Sequence, residues 1–361
     1  MATVHETEWC EDEEAIKLPI GGNVAFRDWK LKSANGDVLG AGSDINHKFS
    51  RLDYFLMMFP NSHIQKIVML TNRHLIIANK LRTTIGEILK FFGVLILTTE
   101  FEFGSRRSLW SSVAPSKYVP APCFGKTGIT RNRFDDIWAY IRFSDQPGER
   151  PDAMSHEKYR WLLVDDFVQA FNDHREYTFV PSDYICADES ISRWYGQGGH
   201  WINMGLPMYI AIDRKPENGC EIQNSACGRS GVMLRLILVK SADERESEHL
   251  NTSEDGLLHG TQVLKTLVAP WTNSNRIVCA DSYFASVGCC EELKRIGLRF
   301  IGVVKTATKR FPMAHLSQIE LVNRGDFTGL VCRDLTGNPK FMSFVWMDRE
   351  RRYFISSVSS I

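Results

Sequence analysis

The chain has 361 residues, 43% of them hydrophobic, enough to bury a full core and to set aside general disorder. Lys and Arg number 43 and Asp and Glu also number 43, so the net charge makes no case for nucleic acid, and any such case has to be local. The nine cysteines, at 10, 123, 186, 220, 227, 279, 289, 290 and 332, form no CxxC and no Cys/His cluster at zinc spacing. They read as free thiols in a reducing compartment, with neither a disulfide framework nor a zinc site.

The opening "MATVHETEWCEDEEAIKLPIGG" is acidic and lacks a hydrophobic signal core, and residues 1–50 are polar and aperiodic, so they are expected to be a poorly ordered tail. From 51 to about 180 the apolar spacing is helical. It runs through "RLDYFLMMFP", "NSHIQKIVMLTNRHLIIANK" and "TTIGEILKFFGVLILTTEF", the last with Thr84 as N-cap and Glu87 three positions on as a capping box. Two more helices are expected in "TRNRFDDIWAYIRFSD" and "KYRWLLVDDFVQAFNDHREY". The longest apolar stretch, "ILKFFGVLILTT" at 88–99, contains a lysine and is too short for a bilayer, so a soluble intracellular protein is expected, with no membrane partner.

After Pro181 the rhythm shortens to β-type runs: "DYICADES", "MYIAIDR" and "LRLILVK". A helix "HGTQVLKTLVAPW", a strand "RIVCADSYF", a helix "SVGCCEELKRIG" and a strand "LRFIGVVK" follow, which is an α/β order. The last runs, "DFTGLVCRD", "KFMSFVWMD" and "RRYFISSVSS", read as a β-rich piece. The expected division is a tail at 1–50, a helical domain at 51–180, an α/β core at 181–310 and a β-rich insertion-like segment at 311–361.

Charge is spread unevenly over these parts. Residues 71–134 hold ten Lys/Arg against three Glu, and 135–190 hold five basic against thirteen acidic residues. A basic helical segment of this kind can supply phosphate contacts or be a solvated face. Its candidate DNA-contacting residues are Arg106, Arg107, Arg131 and Arg133. Trp194 and Tyr195, just after the first of two aspartate-bearing strands, are candidates for stacking on bases or for core packing.

Those strands carry the chemistry. "DYICADES" and "RIVCADSYF" each lead through a Cys-Ala pair into an aspartate, Asp188 and Asp281, both expected at strand ends. Carboxylates on neighbouring strand ends of an α/β sheet converge on one edge, and as hard oxygen ligands they suit Mg²⁺. The plainer reading of either aspartate is a cap or an Asx turn, as in "DSYFAS". His200 in the glycine-rich "GQGGHW" reads as structural, "GQGG" matches no nucleotide-binding loop, and Cys289 with Cys290 on a predicted helix reads as packing.

The order from "YICADES" through "RWYGQGGHWINMGLPMYIAIDRKPENGCEIQ" to "RIVCADSYFASVGCCEELKRIGLRFIGVVK" resembles the transposase domain of piggyBac elements. Upstream, "YFLMMFPNSHIQKIVMLTNRHL", "TTIGEILKFFGVLILTT" and "GITRNRFDDIWAYIRFSD" are similar to that family's helical segment, so the resemblance covers about 51–355. It implies a ribonuclease H-like mixed sheet, preceded by a helical dimerisation and DNA-binding-like domain, that cuts double-stranded DNA at transposon ends and transfers strands through a two-ion Mg²⁺ site. It also implies a nuclear location and allows a homodimer. Carried over by motif, Asp188 and Asp281 are the first two catalytic, metal-binding aspartates. The family's third lies on a helix beyond the β-rich segment, in a stretch with no counterpart before Ile361, so the resemblance implies a C-terminally truncated product with weak metal binding and no cleavage. Glu189 and Asp348 are the local residues that would have to replace the third ligand. The alternative is a non-catalytic, element-derived DNA-binding or protein-interaction module.

Overall fold

The computed structural model describes residues 8–10, 30–32, 38–40, 51–99, 105–145, 149–193, 209–211, 218–240, 257–306 and 308–358. Trp194, Tyr195 and His200 lie outside them, as does most of 1–50. The chain divides into two compact units, Ser50–His174 and Met1–Phe49 with Arg175–Ile361.

In the first unit the helical periodicity is realised as α1 (Arg51–Met58), α2 (Asn61–Ile77), α3 (Ile85–Thr98), α4 (Arg131–Tyr140), α5 (His156–Trp161) and most of α6 (Asp165–Thr178). The apolar stripes meet in one core in which Ile67, Ile88, Phe91, Phe134 and Ile137 are buried and Phe55, Phe59, Trp110 and Phe143 pack against them. Phe91 and Phe134 lie 4.8 Å apart between ring centres, tying α3 to α4.

Thr84 caps α3 as expected, its hydroxyl accepting from the Glu87 N–H. The Glu87 carboxylate is used differently from the capping box. It accepts from the Thr83 hydroxyl at 2.8 Å and takes the Arg133 guanidinium on both oxygens, at 2.7 and 2.6 Å. A charged fork from α4 outcompetes a neutral N–H for that carboxylate.

The second unit is built on one mixed sheet. Its centre holds β5 (Tyr184–Arg193), β7 (Asn218–Cys227), β8 (Met233–Leu238), β9 (Ile277–Ala280) and β10 (Arg299–Val304), in the spatial order β8-β7-β5-β9-β10. β5, β7 and β8 form an antiparallel meander, and β9 and β10 run parallel to β5 through crossovers. The crossovers are α7 (His259–Val268) and α8 (Val287–Arg295). A three-strand meander followed by two parallel strands on the other side of the first strand is the ribonuclease H-like arrangement that the resemblance implies.

Two expectations are corrected. The middle strand of the meander is Asn218–Cys227, whereas the sequence reading placed a strand at "MYIAIDR"; that run contributes only the short β6 (Tyr209–Ala211), paired to the start of β7. β7 escaped notice because its buried face is largely polar: Gln223 and Ser225 are buried beside Cys227, and the Ser225 hydroxyl is satisfied by the Leu267 carbonyl of α7. Its period of two is real but invisible to a hydrophobicity pattern. Asp188, in turn, is the fifth residue of a ten-residue strand rather than its end, because pairing with β7 carries β5 on to Arg193.

The last strands extend the same sheet. β13 (Arg351–Ser356) pairs antiparallel to β10, then come β12 (Pro339–Met347), β11 (Phe327–Arg333) and the short β1 (Glu8–Cys10) at the edge. Phe341, Met342, Ser343, Phe344 and Val345 of β12 are buried in succession, so both faces of this strand are covered. The stretch 1–50 also supplies β2 (Lys30–Lys32) and β3 (Val38–Gly40), which form a small sheet with β4 (Phe179–Val180).

Candidate active site

The two aspartates are brought together by strand register. β5 and β9 pair in parallel from Tyr184 with Ile277 to Ala187 with Ala280, and in each strand the next residue is the aspartate. Asp188 and Asp281 therefore lie side by side, one step past the last paired couple, on strands whose spacing is about 4.8 Å. The repeated Cys-Ala-Asp now has a structural meaning. Ile185 and Ala187 face the core, while Cys186 and Asp188 are exposed on the opposite face.

The loop after β9 fixes Asp281. Its carbonyl accepts from Phe284 and Ala285, and its carboxylate accepts from the Tyr283 N–H at 2.8 Å, so the Asx turn considered from sequence is present as well. Two glycines let this turn pack closely. A Cβ on Gly260, in the first turn of α7, would lie 2.9 Å from the Tyr283 carbonyl oxygen, and one on Gly302 of β10 would lie 2.8 Å from the Ala285 Cβ. Ser286 then caps α8 through the Cys289 N–H.

The Asp188 carboxylate accepts from the Glu189 N–H at 2.8 Å. Its pKa is nevertheless raised, first by burial, then by the hydrogen bond and charge of the Glu189 carboxyl and by the Asp281 charge. A carboxylate beside a second carboxylate is the electrostatic condition that a cation relieves. On this face of β7, Asn224 stands directly opposite Asp188 and its amide donates to the Ser190 hydroxyl at 2.9 Å. Sequence reasoning missed Asn224 because it missed its strand.

The same register places Cys186 opposite Cys279, each two residues before its aspartate and so on the same face. The Cys279 thiol hydrogen-bonds Cys186, which lowers the Cys186 pKa to about 7 against the opposing effects of burial and Asp188; Cys279 is raised by the same contact and by burial. Cys289 and Cys290 are fully buried in α8, and burial pushes Cys289 up to about 12, in keeping with packing.

The basic candidates separate into kinds. Arg133 is held by Glu87 and also donates to the Leu81 and Arg82 carbonyls at 2.8 and 2.9 Å. Arg106 pairs with Asp135 at 2.9 Å and lies over the Trp138 ring. Arg131 reaches Asn132 at 3.2 Å, and Arg107 is exposed. Asp348, at the β12–β13 turn, is held by Arg324 at 2.6 Å. Among the described residues no group of three or more His, Cys, Asp or Glu side chains is arranged to hold a metal ion. Among them, too, no helix is long and apolar enough to cross a membrane.

A family model described as Transposase IS4 matches residues 50–361. Among solved structures the chain is similar to a piggyBac transposase, determined by cryo-EM as a synaptic complex with hairpin DNA, with a TM-score of 0.69 and 18% identity. The likeness covers 92% of this chain and 64% of that one, so the chain spans less than two thirds of the transposase it matches.

Proposed function

The chain belongs to the piggyBac-type transposase IS4 family of DDE transposases, and from that membership we propose that Asp188 and Asp281 are the carboxylates of its DNA-processing site. The register that sets these two residues side by side carries this reading. Two adjacent carboxylates, one with a raised pKa, are a donor set that fits Mg²⁺, which takes one or two carboxylates and fills its remaining positions with water and phosphate oxygens. Asp188 and Asp281 would hold the ion. Once bound, it supplies activation of the attacking oxygen and charge stabilisation on the leaving oxygen of a phosphodiester. The protein's own part is to fix the carboxylates, through the Glu189 and Tyr283 N–H groups and the packed turn behind Asp281.

We further propose that this 361-residue chain holds the ion weakly and does not cleave by itself. Supporting this, among the described residues no group of three or more His, Cys, Asp or Glu side chains is arranged to hold a metal ion, and Asp348 is committed to Arg324. A non-catalytic reading then follows from the same observation, with double-stranded DNA as partner, bound through the basic helical unit in a nuclear setting. The neighbouring transposase's complex with hairpin DNA supports DNA as the partner class.

The test is a labelled duplex incubated with the chain and Mg²⁺ or Mn²⁺, beside Asp188→Ala and Asp281→Ala. Retarded but intact duplex is the expected result for all three proteins. Nicking by the unaltered chain, lost in either variant, would overturn the incomplete-site reading and point to a local third ligand such as Glu189.

A further inference from the structure

We propose that Cys186 and Cys279 are a reversible dithiol–disulfide pair, a modification site for hydroperoxide-class oxidants at the base of the carboxylate site. The family reading does not use these thiols, and the inference stands without a bound metal. The geometry is that of two registered residues on adjacent parallel strands, Cys186 directly beside Cys279, with side chains on the same face. Parallel strands about 4.8 Å apart put the two Cα atoms inside the 4.4–6.8 Å range that a disulfide spans. Cys186 is exposed and Cys279 half-buried, so an oxidant meets Cys186 first. The vicinal pair, Cys289 and Cys290, is buried in a helix and closed to solvent.

The chemistry balances with the peroxide as the only co-reactant. The Cys186 sulfur attacks a peroxide oxygen, the O–O bond breaks, and the leaving oxygen departs as alcohol or water with the thiol proton, leaving a sulfenic acid. The Cys279 sulfur then attacks the Cys186 sulfur, the S–O bond breaks, and water leaves with the second thiol proton. The two sulfurs together lose two electrons and the peroxide gains two. In a reducing compartment such a bond is transient, and a dithiol returns it to the starting state. The link would tie β5 to β9 two residues before each aspartate, one couple before their shared ladder ends.

Peptide mapping by mass spectrometry of the full chain, after brief hydrogen peroxide treatment and alkylation, tests this. The expected product is a cross-linked pair of peptides containing Cys186 and Cys279, about 2 Da lighter than the two thiol peptides together and abolished by dithiothreitol. In Cys279→Ser the expected product is Cys186 trapped as its sulfenic acid by dimedone. Cys186 found joined to Cys220 or Cys227, or stopping as a sulfenic or sulfinic acid in the unaltered chain, would overturn the pairing. The map of the unaltered chain decides the matter even if the variant folds poorly.

Discussion

Asp188 illustrates how a site residue works against the fold that carries it. Its pKa is raised above the ordinary value of 3.8, so the folded state holds the proton more tightly than the unfolded chain. The sign follows from linkage: the contribution favours folding below about pH 4 and is lost as pH rises through the folded pKa, leaving an unfavourable charge at neutrality. Asp188→Asn is therefore expected to raise the neutral-pH melting temperature slightly. The gain stays below about 1 kcal/mol, because the carboxyl is exposed and screened. A loss of stability would mean that the charge is already compensated. Among the arginines, Arg133→Ala should cost about 1–3 kcal/mol in urea unfolding, since it leaves two carbonyls without this donor and Glu87 with the Thr83 hydroxyl but not its cation. Arg107→Ala and Arg131→Ala should leave stability within about 0.5 kcal/mol. Each should instead reduce the slope of log affinity for duplex against log salt by about 0.9. An unchanged slope would make that surface a solvated face.

At the scale of elements, the sequence was readable wherever burial and hydrophobicity coincide. The helices of 51–180, the strands around Val278 and Phe300 and the buried run of β12 announce themselves by apolar spacing. β7 does not, because the polar residues Gln223 and Ser225 occupy core positions, the Ser225 hydroxyl donating to the Leu267 carbonyl, and with it went the length of β5 and the neighbour Asn224. The aspartate pair was legible because the Cys-Ala-Asp repeat encodes the shared register of β5 and β9. What the repeat could not convey is that Asp188 sits in mid-strand. The two crossover helices are locked by another contact with no sequence signature. Buried Glu292 of α8 receives Lys265 of α7 at 2.7 Å and both edges of Arg295 at 2.7 and 2.8 Å. The Arg295 hydrogen bonds, then Lys265, lower its pKa from 4.5 to about 2. Its stabilising effect is thus present above about pH 4.5 and lost as pH falls towards 2. Glu292→Gln should cost about 2–4 kcal/mol at pH 7. The gap between variant and parent should shrink as pH is lowered below 4.5, and a gap independent of pH would assign the loss to packing.

For the molecule as a whole, the net charge of zero conceals two different units: a helical one with a local basic surplus, and a ribonuclease H-like sheet with an acidic pair on one face. The central claim is that Asp188 and Asp281 act as one site. Each carboxylate accepts from a backbone N–H, Glu189 for one and Tyr283 for the other, so those amides report on whatever the carboxylates hold. The most direct measurement is Mn²⁺-induced broadening of the Glu189 and Tyr283 amide resonances in the unaltered chain, in Asp188→Asn and in Asp281→Asn. Both amides are expected to broaden together with one saturating concentration dependence, and either substitution to abolish the effect at both. Broadening at one amide that survives loss of the other aspartate, or no selective broadening in the unaltered chain, would contradict a shared site.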